Sequence, residues 1–307
     1  PGAAGAVGAA SSAAFRKVEG DRGPMDGRSG RDRQRSRGQG KGWTYGLKLN
    51  IFANPNLLHE AAAQTIVRLL RQKPDAVLGL ATGGTPVGIY EALTAAVRRR
   101  EVSFARAATF NLDEYVGLPP DHPASYRYYM DQHLFRHIDI PPERTHIPDG
   151  CAADLERECE RYDRLLQAAG RIDLMLLGLG HNGHIGFNEP GRALHSKTHV
   201  AVLHPQTREA NARFFRTPEE VPTKAITMGL GSIFSARTIL LVVKGNDKAD
   251  IVHRALTGPI TTECPASLLQ LHPRLVVMLD EGAAARFKCQ TTQNAPHEPV
   301  DSTNGLW

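Results

Sequence analysis

Leu47-Lys-Leu-Asn-Ile-Phe-Ala53, then Asn54-Pro55, then Leu58, Ala61, Ala62, Thr65, Ile66, Leu69 and Leu70 at helical spacing: this stretch decides the fold. A short apolar run meets an N-cap residue, with proline at the first helical position, so the segment predicts a strand over 47–53 feeding a helix. The next segment repeats the pattern. An apolar run at 76–81 leads into Thr82-Gly83-Gly84-Thr85-Pro86, and Tyr90, Leu93 and Val97 mark the apolar face of a second helix. Further strands are predicted at 107–112, 172–178, 198–203, 225–228, 238–243 and 275–279, mostly separated by helices. Apolar strands alternating with helices imply an α/β fold with an open, doubly wound, mostly parallel sheet and helices on both faces. No internal repeat is present, and the uneven spacing disfavours an eightfold barrel.

Outward from this core, the chain divides into a basic Gly/Ala/Arg-rich leader (1–43), an α/β domain (44–290) and a polar tail (291–307). The net charge of +5 lies in the leader, where residues 1–42 hold nine Lys/Arg against four acids. The remainder balances at 28 basic and 28 acidic residues, so the high isoelectric point does not argue for a nucleic-acid partner. The leader has the composition of a disordered segment. It lacks the continuous apolar stretch of a secretory signal, and Asp21, Asp26 and Asp32 count against a transit peptide. No apolar run is long enough to span a bilayer, so no membrane partner is expected. Cys151, Cys159, Cys264 and Cys289 show no C-x-x-C spacing and read as reduced thiols in a cytoplasmic protein.

Ligands of open α/β sheets bind beyond the carboxyl ends of the strands, so the residues just after each strand carry the chemistry. Thr82, Gly83, Gly84 and Thr85 form a turn whose N–H groups, hydroxyls and helix dipole suit a phosphate monoester, although an ordinary Gly-rich turn reads the same. The spacing is not that of a Walker A loop. Asp113 and Glu114 follow the strand at 107–112, and in an extended chain one can act as a base while the other is structural. Residues 178–190 contain Gly178, Gly180 and Gly183 in G-x-G-x-x-G spacing, but Gly186 and Pro190 disfavour the long helix a dinucleotide site needs. His181 and His184 without a nearby third ligand are poor evidence for a metal. What remains is a loop gathering Asn182, His184 and Glu189, a histidine tuned by a carboxylate. Arg213 and Lys248 are cations placed to complete a phosphate site.

Together these segments resemble the glucosamine-6-phosphate deaminase family. The resemblance rests on L-A-T-G-G-T-P (80–86), F-N-L-D-E-Y-V-G-L (110–118), G-H-N-G-H-I-G-F-N-E-P (180–190), T-R-E-A-N-A-R-F-F (207–215) and L-Q-L-H-P (269–273), in family order. It implies a Rossmann-like fold and conversion of glucosamine 6-phosphate and water to fructose 6-phosphate and ammonium. It further implies Asp113 as the base at C2 and C1, His184 as the ring-opening group supported by Asn182 and Glu189, and phosphate held by the 82–85 loop with Arg213 and Lys248. Some members carry Asp where this chain has Asn182; an amide supplies no charge, so the imidazole is expected to be tuned mainly by Glu189. The segment around 203–223 resembles the family's mobile lid. Neither a redox carrier nor a metal is required, and no cofactor is expected.

Allosterically regulated hexameric members bind N-acetylglucosamine 6-phosphate through a Ser, an Arg and a Lys; the aligned positions here are Arg192, His199 and Ala201, so an unregulated enzyme is expected. A homo-oligomer is compatible with the resemblance. A rival reading is 6-phosphogluconolactonase, whose members read D-G-H-x-A-S-L-F-P where this chain has N-G-H-I-G-F-N-E-P. A rival of another class is a non-catalytic sugar-phosphate sensor, which would tolerate loss of Asp113, His184 and Glu189.

Overall fold

The computed structural model describes residues 16–17 and 47–288. The expectations for the rest of the leader, for the tail and for Cys289 lie outside those residues. Strand β1 (Arg16–Lys17) pairs antiparallel with β2 (Leu47–Phe52), which leads into helix α1 (Pro55–Gln72). The Asn54 side chain accepts the Leu57 N–H at 3.0 Å and Pro55 opens the helix, as the sequence pattern requires. Strand β3 (Val77–Leu80), helix α2 (Pro86–Arg98), β4 (Ala108–Asn111), β5 (Asp113–Tyr115), helix α3 (Tyr126–His133) and β6 (Thr145–His146) follow. Then come α4 (Leu155–Ala169), β7 (Leu174–Leu177), β8 (His199–Val202), α5 (Pro205–Asn211), β9 (Lys224–Thr227), α6 (Leu230–Phe234), β10 (Thr238–Val243), α7 (Ala249–Thr257) and β11 (Leu275–Asp280).

The main sheet runs β1-β2-β11-β10-β7-β3-β4-β6, parallel throughout except at β1. Side chains alternate between its faces. Leu78, Leu80, Leu174, Leu176 and Leu240 pack toward α1 and α2, whereas Val77, Met175, Leu177, Ile239 and Leu241 pack toward α4 and α7. Both faces are therefore apolar, which is why these strands read as continuous apolar runs. Truncating a central member such as Leu241 to Ala would cost about 2–5 kcal/mol.

The order also places the ligand cleft. From β2 the chain enters the sheet at β3 and moves outward through β4 and β6, then returns to β7 and moves the other way through β10 and β11. The neighbouring strands β3 and β7 thus send their carboxyl-terminal loops in opposite directions, opening a crevice between them.

The predicted strands at 198–203 and 225–228 form, but outside the main sheet. β8 and β9 join β5 in a small antiparallel sheet, ordered β5-β9-β8, which stands beside the crevice. Their short alternation does not distinguish a strand of the central sheet from one in a flanking ribbon. Among the described residues, no helix is long and apolar enough to cross a membrane, and no group of three or more His, Cys, Asp or Glu could hold a metal ion.

Candidate active site

A cleft of about 660 Å³ opens at the β3/β7 switch, and Thr82, Asp113, His184, Thr207, Arg213 and Lys248 all line it. Its cationic corner is built on the β3–α2 turn. Gly83 adopts φ +102°, a conformation that leaves the first-turn N–H groups facing the cleft, and Thr85 makes no side-chain cap that would occupy them. Tyr129 Oη donates to the Gly83 carbonyl at 2.7 Å and fixes the turn. Arg213 lies against this turn, its guanidinium 4.0 Å from where a Cβ on Gly84 would sit, and it stacks 4.8 Å over the Phe214 ring. Lys248 Nζ donates to the Leu179 carbonyl at 2.8 Å. Burial pushes Lys248 down to about 8; Asp247 opposes the shift and the Arg213 charge adds to it. Two cations, a helix N-terminus and two threonines converge on one point, an arrangement that favours a dianion.

The two carboxylates after β4 take different roles. Glu114 accepts hydrogen bonds from the backbone N–H groups of Tyr115, Tyr126 and Arg127 at 2.8–2.9 Å and so anchors α3 to β5. Asp113 receives no hydrogen bond from any described residue; its carboxylate faces the backbone of Gly186, which adopts φ +59°. Burial raises both groups. Backbone donors pull Glu114 back to about 7, whereas Asp113, with the Glu114 charge beside it, goes to about 8. A buried carboxyl without donors at the floor of a cleft suits proton transfer.

The loop after β7 brings Asn182, His184 and Glu189 together without a helix. His184 Nδ1 lies 2.8 Å from Asn182 Oδ1, and Asn182 Nδ2 donates to Glu189 Oε2 at 2.8 Å, while Nδ1 is 3.4 Å from the same carboxylate oxygen. An amide oxygen only accepts, so Nδ1 carries the proton and Nε2 keeps its lone pair. Burial opposes ionisation of Glu189, but His184, Thr207 and Asn182 outweigh it and hold the carboxyl at about 2. Asn182 is therefore the nearest partner of the imidazole, while the charge beside it is that of Glu189, 3.4 Å from Nδ1. The imidazole lies flat over Gly180, where a Cβ would collide with Cε1 and Nε2. A Gly180→Ala variant should displace His184, lowering turnover about 100-fold with the melting temperature nearly unchanged; unchanged turnover would remove the ring-opening role from this rotamer.

Every residue the sequence singles out as a site member lines this cleft except Glu189, which supports His184 from behind. Several contributors were not singled out. Thr207, only 3% exposed, lies 3.4 Å from His184 Nδ1, and His181 Nε2 pairs with Asp247 Oδ2 at 2.8 Å. Thr207 sits inside a quoted motif and just after a helix-opening proline, a signal that marks position but not the partner reached.

The geometry defines an α/β protein whose switch-point cleft brings a cationic corner together with a buried carboxyl and a hydrogen-bonded histidine. A family profile described as glucosamine-6-phosphate isomerases/6-phosphogluconolactonase matches residues 55–277, and the chain belongs to that family. Within it, similarity is high to proteins named glucosamine-6-phosphate deaminase. That of Geobacillus sp. is 50% identical over 77% of this chain and 94% of its own length, and that of Lachnoclostridium phytofermentans is 53% identical over 72% and 94%. The structure of a monomeric glucosamine-6-phosphate deaminase superposes with a TM-score of 0.75 at 47% identity, covering 78% of this chain and 99% of the other. The 6-phosphogluconolactonase of Thermotoga maritima has a TM-score of 0.60 at 20% identity, over 76% of this chain and 99% of its own, and shares the fold.

Proposed function

We propose that the chain is a glucosamine-6-phosphate deaminase, converting D-glucosamine 6-phosphate and water to D-fructose 6-phosphate and ammonium. The observation that carries this reading is one cleft in which Asp113, free of donors among the described residues, and His184, with Nε2 unengaged, face a cationic corner. The phosphate sits on Thr82–Thr85 with Arg213 and Lys248. His184 Nε2 takes the O1 hydroxyl proton and returns it to O5 as the C1–O5 bond breaks, giving the open aldehyde. Asp113 then removes the C2 proton while a proton of the C2 ammonium group passes to O1, forming the enolamine, and returns the abstracted proton to C1. The resulting C2 iminium adds water and expels ammonia. Asn182 and Glu189 keep the His184 tautomer and stabilise its transient charge.

Arg192, His199 and Ala201 stand where an activator site would need Ser, Arg and Lys; His199 instead stacks on His195 at 4.2 Å, and Ala201 is buried. Turnover without activator is part of the proposal, as is a cytoplasmic location, which rests on the free thiols of Cys151, Cys159 and Cys264. Equal formation of ammonium and fructose 6-phosphate, unchanged by chelator or by N-acetylglucosamine 6-phosphate, is the expected result. Folded protein that forms neither product would turn attention to lactone hydrolysis.

The reading also sets the pH dependence. Asp113 must be ionised to act as base, so kcat/KM rises as pH climbs toward about 8; Lys248 must stay protonated to hold phosphate, so it falls above about 8. A bell centred near pH 8 is expected. Lys248→Arg, whose guanidinium keeps its charge, should extend the alkaline limb by at least one pH unit; an alkaline limb that stays in place would remove Lys248 from it.

A further inference from the structure

The segment 205–215 touches three parts of the cleft at once. Thr207, in the first turn of α5, is buried against the His184–Glu189 pair, its Oγ1 3.4 Å from His184 Nδ1 and close enough to the Glu189 carboxylate to help hold it ionised. Asn211, one turn further on, donates through Nδ2 to the Tyr115 hydroxyl at 3.0 Å, two residues from Asp113. Arg213 reaches the Gly84 turn, and Phe215 packs edge-on against Tyr115 with ring centroids 5.7 Å apart. The hydroxyl of Thr207 has one proton and accepting lone pairs, so it can donate to Glu189 while its oxygen faces Nδ1–H of His184.

We infer that Thr207 is a positioning residue that ties the ring-opening pair to the phosphate corner, so that capture of phosphate by Arg213 sets the orientation of His184. The inference rests on the deaminase reading for its kinetic consequences but not for the coupling itself. Five residues, all helical, separate Thr207 from Arg213, and the Asn211 and Phe215 contacts tie that stretch to Tyr115. A shift of Arg213 onto a phosphate therefore moves the Thr207 hydroxyl relative to Glu189. Thr207 touches no substrate atom in this assignment; it acts through His184. The coupling gives a simple discrimination. A sugar without phosphate leaves Arg213 unengaged and exerts no such control over the imidazole.

The test uses the full chain with Thr207→Val, which removes the hydroxyl at nearly constant shape, and Thr207→Ser, which restores it. Thr207→Val should lower kcat about 10-fold with KM within twofold, leaving the pH limbs set by Asp113 and Lys248 in place. Thr207→Ser should recover most of the loss. In a His184→Gln background the Thr207→Val loss should vanish, since both act on one step. An independent readout needs no turnover: inorganic phosphate should shift the His184 ring resonances in the wild type and fail to do so in Thr207→Val. Additive losses, a Ser variant as impaired as Val, or a phosphate-induced shift that survives in Thr207→Val would each overturn the inference. Absence of deamination by the wild type, with the phosphate-induced shift intact, would count against the deaminase reading alone.

Discussion

An Asp113→Asn variant is expected to lose turnover by about 10²–10⁴-fold with KM changed little, and to melt at a higher temperature than the wild type. The two effects share one cause. Burial without donors raises the folded-state value of Asp113 from 3.8 to about 8, so the folded protein prefers the protonated form. For an acid shifted upward, stability is lost as pH rises above the unfolded value and the loss levels off above the folded one. The cost therefore accumulates between about pH 4 and pH 8, and Asn, which never ionises, escapes it. The gain is on the order of 2–4 kcal/mol near pH 8, and at pH 4 the variants should be nearly equal. For a domain of this size that corresponds to roughly 5–10 °C in melting temperature. Melting curves at pH 4 and 8 and steady-state kinetics check both halves. Near-wild-type turnover would remove Asp113 from the base role, and a lower melting temperature at pH 8 would refute the burial argument.

The second large effect is expected at His184. His184→Gln can still donate to Asn182 but cannot accept and return a proton at neutral pH, so ring opening should slow by about 10²-fold or more. The discriminating substrate is a 4,5-dideoxy analogue of glucosamine 6-phosphate, which lacks both hydroxyls that can close a ring and stays open. On that compound the variant should work nearly as well as the wild type, because only the Asp113 step remains. An equal loss on both compounds would assign His184 to the later proton transfers instead. Because Asn182 lies between His184 and Glu189, Asn182→Ala should reproduce part of the defect, at about tenfold.

Much of this architecture can be read from the residues. The parallel strands are legible because both faces of 174–177 and 238–243 are buried, leaving apolar runs too short for helices. The β-α turn of the phosphate corner is legible from its glycines and helix-opening proline, but an ordinary Gly-rich turn reads the same until Arg213 and Lys248 are seen to line the same cleft. The displacement of 199–202 and 224–227 into a separate ribbon is not legible, because it depends on how β5 leaves the main sheet at Leu112, a tertiary matter. Apart from the family resemblance, the residues alone do not divide the roles between Asp113 and Glu114, for a similar reason. Three backbone N–H groups choose Glu114, and two of them come from the start of α3, a dozen residues away. Asn182 shows the limit from the other side: its chemistry excludes charge, but only the 2.8 Å contacts on both sides show it bridging the imidazole and a carboxylate.

The crevice between β3 and β7 has a consequence for how such a chain can diverge. Its hold on phosphate comes from the β3 turn, Lys248 and Arg213, whereas the residues that move protons come from β5 and from the loop over 180–190. The handle and the blade are separate parts. Rewriting 180–190 would replace the proposed ring-opening histidine while leaving the grip on the sugar phosphate in place. The 6-phosphogluconolactonase structures share this fold at about one-fifth identity.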